Sequence, residues 1–174
     1  MQHPHQLLMA VCIAATGIVS CSPSIYPDSG DAVYYRKLAD AGHRLGLRIS
    51  DKDDQALFII AADWLGTPYR YGGNSRKGVD CSGLARILIG EAYGIDLPPG
   101  SGSQLEACKR RVSRHRLRCG DLLFFGPKGK KRNINHVGVY LKDDRFIHAS
   151  NRGVIVSSLN EEYYVRTYVC AGRP

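Results

Sequence analysis

The stretch Leu65-Gly-Thr-Pro-Tyr69-Arg-Tyr-Gly-Gly73-Asn-Ser-Arg-Lys-Gly-Val-Asp80-Cys81-Ser82-Gly83 lies between two segments of helical periodicity and ends in a cysteine. Gly66 and Pro68 stop the helix before it, and Asp80 is placed to cap the helix after it. A cysteine in the first turn of a helix sees the positive end of the helix dipole, which favours the thiolate. Cys81 is therefore either an activated nucleophile or a small buried side chain.

Working outward, Leu57, Ile60, Ala61, Trp64 and Leu65 recur at the spacing of one buried helix face, with Asp53 or Asp54 as cap. Trp64 reads as core. Downstream, a helix is expected from about Cys81 to Tyr93, with Leu84, Ile87 and Leu88 facing the core and Gly94 ending it. The segment Leu97-Pro-Pro-Gly-Ser-Gly-Ser103 is loop, and Ser103 caps a short third helix to about Arg110. From Leu117 the period changes to two. Strands are expected at 121–125, 136–141, 146–150, 154–159 and 164–170, separated by glycine-, proline- and aspartate-rich turns. Helices first and a strand meander second give an α+β fold, with helices packed on an antiparallel sheet of about five strands.

A thiol nucleophile needs a base, and the base needs a group that holds its tautomer. His136 and His148 fall on neighbouring expected strands. Val137, Val139 and Leu141 form one apolar face, and Ile147 and Ala149 another. A plain four-residue turn at 142–145 would place these faces on opposite sides of the sheet, so the pattern requires a one-residue adjustment such as a bulge. With it, the two histidines share a face and can lie level and in contact.

The 174-residue chain is 44% hydrophobic and 23% charged, the composition of a globular domain, with net charge +8. That surplus suits an anionic partner. The run Lys109 to Arg118 and the loop Lys128 to Arg132 are basic, yet no aromatic residues interleave them, which argues against nucleic acid. The 72–78 glycine turn lacks the spacing of a phosphate loop. Residues 1–20 carry no Lys, Arg, Asp or Glu, and Leu7 to Val19 has the length and apolarity of an export signal. Ile18-Val-Ser-Cys21 resembles a bacterial lipobox, which implies cleavage before Cys21, lipidation of its thiol and, with Ser22 following, attachment to the outer membrane. Residues 21–52 then form a tether and N-terminal segment, and 53–174 the main domain. No CxxC pair occurs, which argues against a zinc ribbon or a thioredoxin-type site. Cys108, Cys119 and Cys170 leave their pairing open.

The motifs WLGTPYRYGG, GVDCSGL, LRCGDLLFF, NHVGVYL and FIHAS, in that order, resemble the NlpC family of papain-like cysteine peptidases, which cut peptides of bacterial peptidoglycan. The match covers about residues 53–170. The resemblance implies Cys81 as nucleophile, His136 as general base, His148 as the residue that orients it, and Tyr69 at the oxyanion. Asp80 and Ser82 match positions that hold the stem peptide in some members. Cofactor and metal are not implied. Cys119 stands where many members have proline. The expected protein is thus a lipid-anchored cell-wall endopeptidase facing the periplasm; the alternative is a catalytically silent peptidoglycan-binding lipoprotein.

Overall fold

The computed structural model of the protein describes residues 29–127 and 133–174. The expected signal 1–20, Cys21, the tether up to residue 28 and the basic loop Lys128 to Arg132 lie outside them.

Helix α1 (Ser29–Leu45) buries Leu38, Ala41 and Leu45, one stripe at helical spacing, and packs against α2 (Gln55–Trp64). The N-terminal segment thereby joins the core. Asp54 caps α2, accepting from the Leu57 N–H at 3.3 Å. Asp53 instead accepts from the Ser50 N–H and hydroxyl and from Lys142 Nζ at 2.7 Å. The glycine-rich stretch folds into a two-residue hairpin, β1 (Asn74–Ser75) with β2 (Gly78–Val79). It delivers the chain to α3 (Cys81–Tyr93), which Gly94 ends in the left-handed region at φ 67°.

The third helix, α4 (Ser101–Ala107), starts and stops earlier than its sequence promises, with Gly100 at its N-cap. The chain then becomes extended as β3 (Arg110–Val112), a strand that sequence reasoning did not anticipate. The remaining strands are β4 (Leu122–Phe125), β5 (His136–Lys142), β6 (Arg145–Ser150), β7 (Gly153–Ser158) and β8 (Tyr168–Arg173). They form one six-stranded antiparallel sheet in the order β3-β8-β4-β5-β6-β7. The expected strand 164–170 is divided: a short helix, α5 (Glu162–Thr167), precedes β8. Its start is acidic, its Arg166 reaches back to Glu162 at 3.3 Å, and the one side chain it buries is Tyr164.

The sheet buries both faces. Leu122, Phe124, Val137, Val139, Leu141, Ile147 and Ala149 meet the helices. Leu123, Phe125, Phe146 and Ala171 form a second, smaller core under Leu159 and Tyr164. Helix α3 lies on β5 and β6.

Candidate active site

The register between β5 and β6 fixes the histidines. Val139 pairs with Ile147 and Tyr140 with Phe146, but Lys142 pairs with Arg145, so Leu141 is the extra residue of a bulge. Asp143 and Asp144, both at positive φ, make the two-residue turn. The adjustment demanded by the apolar pattern is thus present. It places His136 and His148 on one face, diagonally rather than level, with His136 Nε2 2.9 Å from His148 Nδ1. Phe125 and Phe146 pack their rings around the pair, at 5.9 Å from His136 and 5.0 Å from His148.

His148 is 1% exposed. A buried imidazole must satisfy both ring nitrogens. Nε2 lies 3.2 Å from Ser157 Oγ and 3.0 Å from Tyr164 Oη. Ser157 and Tyr164 are site residues that sequence reasoning missed. Ser157 lies two residues along β7 from Ile155, the partner of His148, so only the strand register reveals it. Tyr164 was hidden because its segment reads as a strand.

Cys81 opens α3, where the sequence places it. Asp80 caps the helix through the Gly83 N–H at 2.6 Å, and the same carboxylate accepts from Ser82 Oγ and from the Gly72 N–H, each at 2.9 Å. Asp80 and Ser82 are therefore joined to each other and to the glycine loop while both line the cleft. The Val137 backbone N–H favours the Cys81 thiolate, so the nucleophile candidate lies toward the His136–Val137 peptide.

Electrostatics departs from the expectation of a dipole-stabilised thiolate. Burial pushes the Cys81 thiol above its ordinary value; the backbone N–H groups of Val137, Ser82 and Cys81 pull it back, and Asp80 adds to the rise. Desolvation outweighs those N–H groups. Burial lowers His136 to about 4. Burial first, then the charges of His136 and Arg152, lower His148 to about 3. At neutral pH the resting pair is thiol and neutral imidazole. Tyr69 is 39% exposed; burial, with Cys81, Asp80 and Tyr71 nearby, raises its hydroxyl, which stays protonated.

The cleft has two lobes that meet at Tyr69, Cys81 and Asn135. One, about 800 Å³, runs along the glycine loop and α3 past Asp80, Ser82, Arg86, Glu91 and Asp96. The other, about 390 Å³, is lined by His136, His148, Arg152, Tyr163 and Tyr164 among others. No disulfide forms among the described residues; Arg111 Nη1 lies 3.7 Å from Cys170 Sγ.

Among curated proteins the chain is 40% identical over 121 residues to a probable endopeptidase NlpC homolog of Haemophilus influenzae, covering 69% of this chain and 62% of that one. It is 44% identical over 108 residues to the murein DD-endopeptidase MepS/murein LD-carboxypeptidase of Escherichia coli K12, covering 62% and 55%. The chain therefore spans about three fifths of the length of these relatives or somewhat less. Among solved structures, an NlpC/P60 family protein from Bacillus cereus superposes with a TM-score of 0.64 at 32% identity, covering 72% of this chain and 41% of that one. The model described as the NlpC/P60 family matches residues 66–173, and the chain belongs to that family.

Proposed function

We propose that this protein is a cysteine endopeptidase that hydrolyses amide bonds in the stem peptides or cross-links of peptidoglycan. The observation that carries this reading is the His136 Nε2 to His148 Nδ1 contact at 2.9 Å, in a cleft that the thiol of Cys81 at its helix start also lines. It occupies one nitrogen of His136 and leaves the other, Nδ1, for the thiol. The names of the relatives, murein DD-endopeptidase and probable endopeptidase, support the substrate class.

The tautomers follow from the chain of contacts. His136 can take a proton at Nδ1 only if its own proton is on Nε2, which donates to His148 Nδ1. The His148 proton then sits on Nε2, and Ser157 Oγ or Tyr164 Oη must accept it. In the reaction, His136 removes the Cys81 proton as Sγ attacks the scissile carbonyl carbon and forms a C–S bond. The Cys81 N–H and the Tyr69 hydroxyl face the developing oxyanion. Collapse breaks the C–N bond, and His136 Nδ1–H protonates the leaving amine. Water, deprotonated by His136, then cleaves the thioester. His148 positions the base, less firmly than a carboxylate would.

The chain is further proposed to be exported and anchored through Cys21 to the outer membrane, facing the periplasm, on the strength of the apolar leader and the Ile18 to Cys21 pattern. Two lipid chains make such an anchor stable, since each buried CH₂ adds roughly 0.8 kcal/mol.

The test is digestion of purified peptidoglycan by mature protein and its Cys81→Ala variant. New amine termini and soluble fragments are expected from the wild type alone; identical products from both would refute the peptidase reading. Cys21→Ala is expected to move the protein from the membrane to the soluble fraction, and persistent membrane association would refute the anchor.

A further inference from the structure

The two lobes of the cleft differ in charge, and the mechanism gives them direction. His136 must protonate the departing amine, so the fragment that leaves lies in the lobe lined by His136 and His148; the acyl fragment, held on Cys81, lies in the other. This assignment rests on the peptidase reading.

The acyl lobe is lined by three carboxylates, Asp80, Glu91 and Asp96, and by Arg86. Arg86 is already engaged: its Nε and Nη2 each lie 2.9 Å from Asp96 Oδ1. Among the described residues no Asp or Glu lines the leaving-group lobe, and its permanent charge is Arg152. None of the ion pairs among the described residues involves Arg152. Its charge nevertheless reaches the catalytic face, where it disfavours protonation of His148. Asn135, Asn151, Ser150 and Tyr163 surround the same space with amide and hydroxyl groups.

The position of Arg152 is built. It occupies the two-residue turn Asn151–Arg152 between Ser150 and Gly153, which pair across β6 and β7. Ser150 Oγ accepts from the Arg152 N–H at 3.1 Å and donates to the Gly153 carbonyl at 2.9 Å. The far side of the turn is clasped to the chain just before Tyr69: the Gly66 N–H donates to the Val154 carbonyl and the Val154 N–H to the Thr67 carbonyl, both at 2.9 Å. Gly153, at φ 97°, fits closely there, since a Cβ would meet the Thr67 carbonyl oxygen at 2.8 Å. A cation without an acidic partner among the described residues, on a turn hydrogen-bonded to the chain before Tyr69, complements an anion in charge, and a planar guanidinium can pair with a carboxylate through two bonds.

We propose that Arg152 forms a carboxylate subsite in the leaving-group lobe, so that the enzyme selects substrates whose departing residue carries a free α-carboxylate over those in which it is a carboxamide. The subsite accounts for charge in both lobes: the acidic acyl side leaves anion recognition to the opposite wall.

The experiment uses the wild-type protein and Arg152→Gln, with D-alanine and D-alaninamide as probes of the departing residue. Binding is followed by the shifts of backbone amides in ¹⁵N-labelled protein. D-Alanine is expected to bind about tenfold more tightly than D-alaninamide, with shifts centred on residues 150–153 and 135–137, and the preference is expected to vanish in Arg152→Gln. Arg152→Lys is expected to keep part of it, as a point charge without the bidentate fork. Equal binding of the two probes by the wild type, an unchanged preference in Arg152→Gln, or no shift at residues 150–153 would each overturn the subsite. None of these readouts involves turnover, so they separate its failure from failure of the peptidase reading, which the peptidoglycan digestion decides. Arg152 is exposed, and an unaltered amide spectrum elsewhere verifies that the variant folds.

Discussion

At the scale of the residue, Cys81 and His136 are both held uncharged at rest by burial. A general base works while its imidazole is neutral, and His136, lowered to about 4, remains neutral down to that pH. The acid limb of kcat/KM is therefore expected near pH 4 rather than at the ordinary histidine value of about 6.5. Alkylation of Cys81 by iodoacetamide, followed by peptide mapping, is expected to show the same acid limb; a limb centred near 6.5 would contradict it. The hydroxyls behind His148 give a second prediction. Either Ser157 or Tyr164 alone can accept its Nε2 proton, so Ser157→Ala and Tyr164→Phe are each expected to cost only a few-fold in kcat. Together they strand a buried donor, and roughly tenfold or more is lost. The loss is expected in kcat with KM preserved, and ring-nitrogen NMR is expected to find the His148 proton moved to Nδ1. Additive single effects with an unchanged tautomer would rule the couple out.

At the scale of the element, α3 and the β5–β6 hairpin were legible because local chemistry determines them: Asp80 and Gly94 bracket the helix, and the apolar parity on either side of 142–145 demanded the Leu141 bulge. The segment around Tyr164 was not legible. Tyr164 to Cys170 has strand-like composition, yet its first half folds as α5 because Tyr164 fits over Phe125 and Phe146, a contact between residues far apart in sequence. Edge strand β3 forms by pairing with the last strand, again a partner that local pattern cannot name. Of the candidate site, Cys81, His136, His148 and Tyr69 came from motif and periodicity, whereas Ser157, Tyr164 and Arg152 needed the register and the cleft. The loop-to-helix junction offers an element-scale test. A Cβ on Gly83 would lie 2.5 Å from the Gly73 carbonyl oxygen, which accepts from the Asp80 N–H at 3.1 Å. Gly83→Ala is expected to displace the glycine loop, destabilise the protein by about 1–3 kcal/mol in urea unfolding and lower peptidase activity. Unchanged stability would mean that the loop yields without cost.

At the scale of the molecule, the two histidines couple stability to pH. Both bind protons less readily folded than unfolded, so the unfolded state takes up protons first as the pH falls. Their contribution is fully present above about pH 6.5 and declines toward pH 4, by up to about 1.4 kcal/mol per pH unit for each histidine. Urea midpoints are expected to fall between pH 7 and pH 5, and a flat profile would refute the coupling. The same architecture separates the reacting groups. Cys81 belongs to the helical layer and His136 to the sheet, and both line the cleft where the layers meet. Neither layer contains a complete active centre. On the proposed function, hydrolysis is a property of docking rather than of secondary structure: a loosened state that kept its helices and strands would have both reagents and no reaction. On that reading the ability to cut belongs only to the docked layers, and partly folded forms are inert.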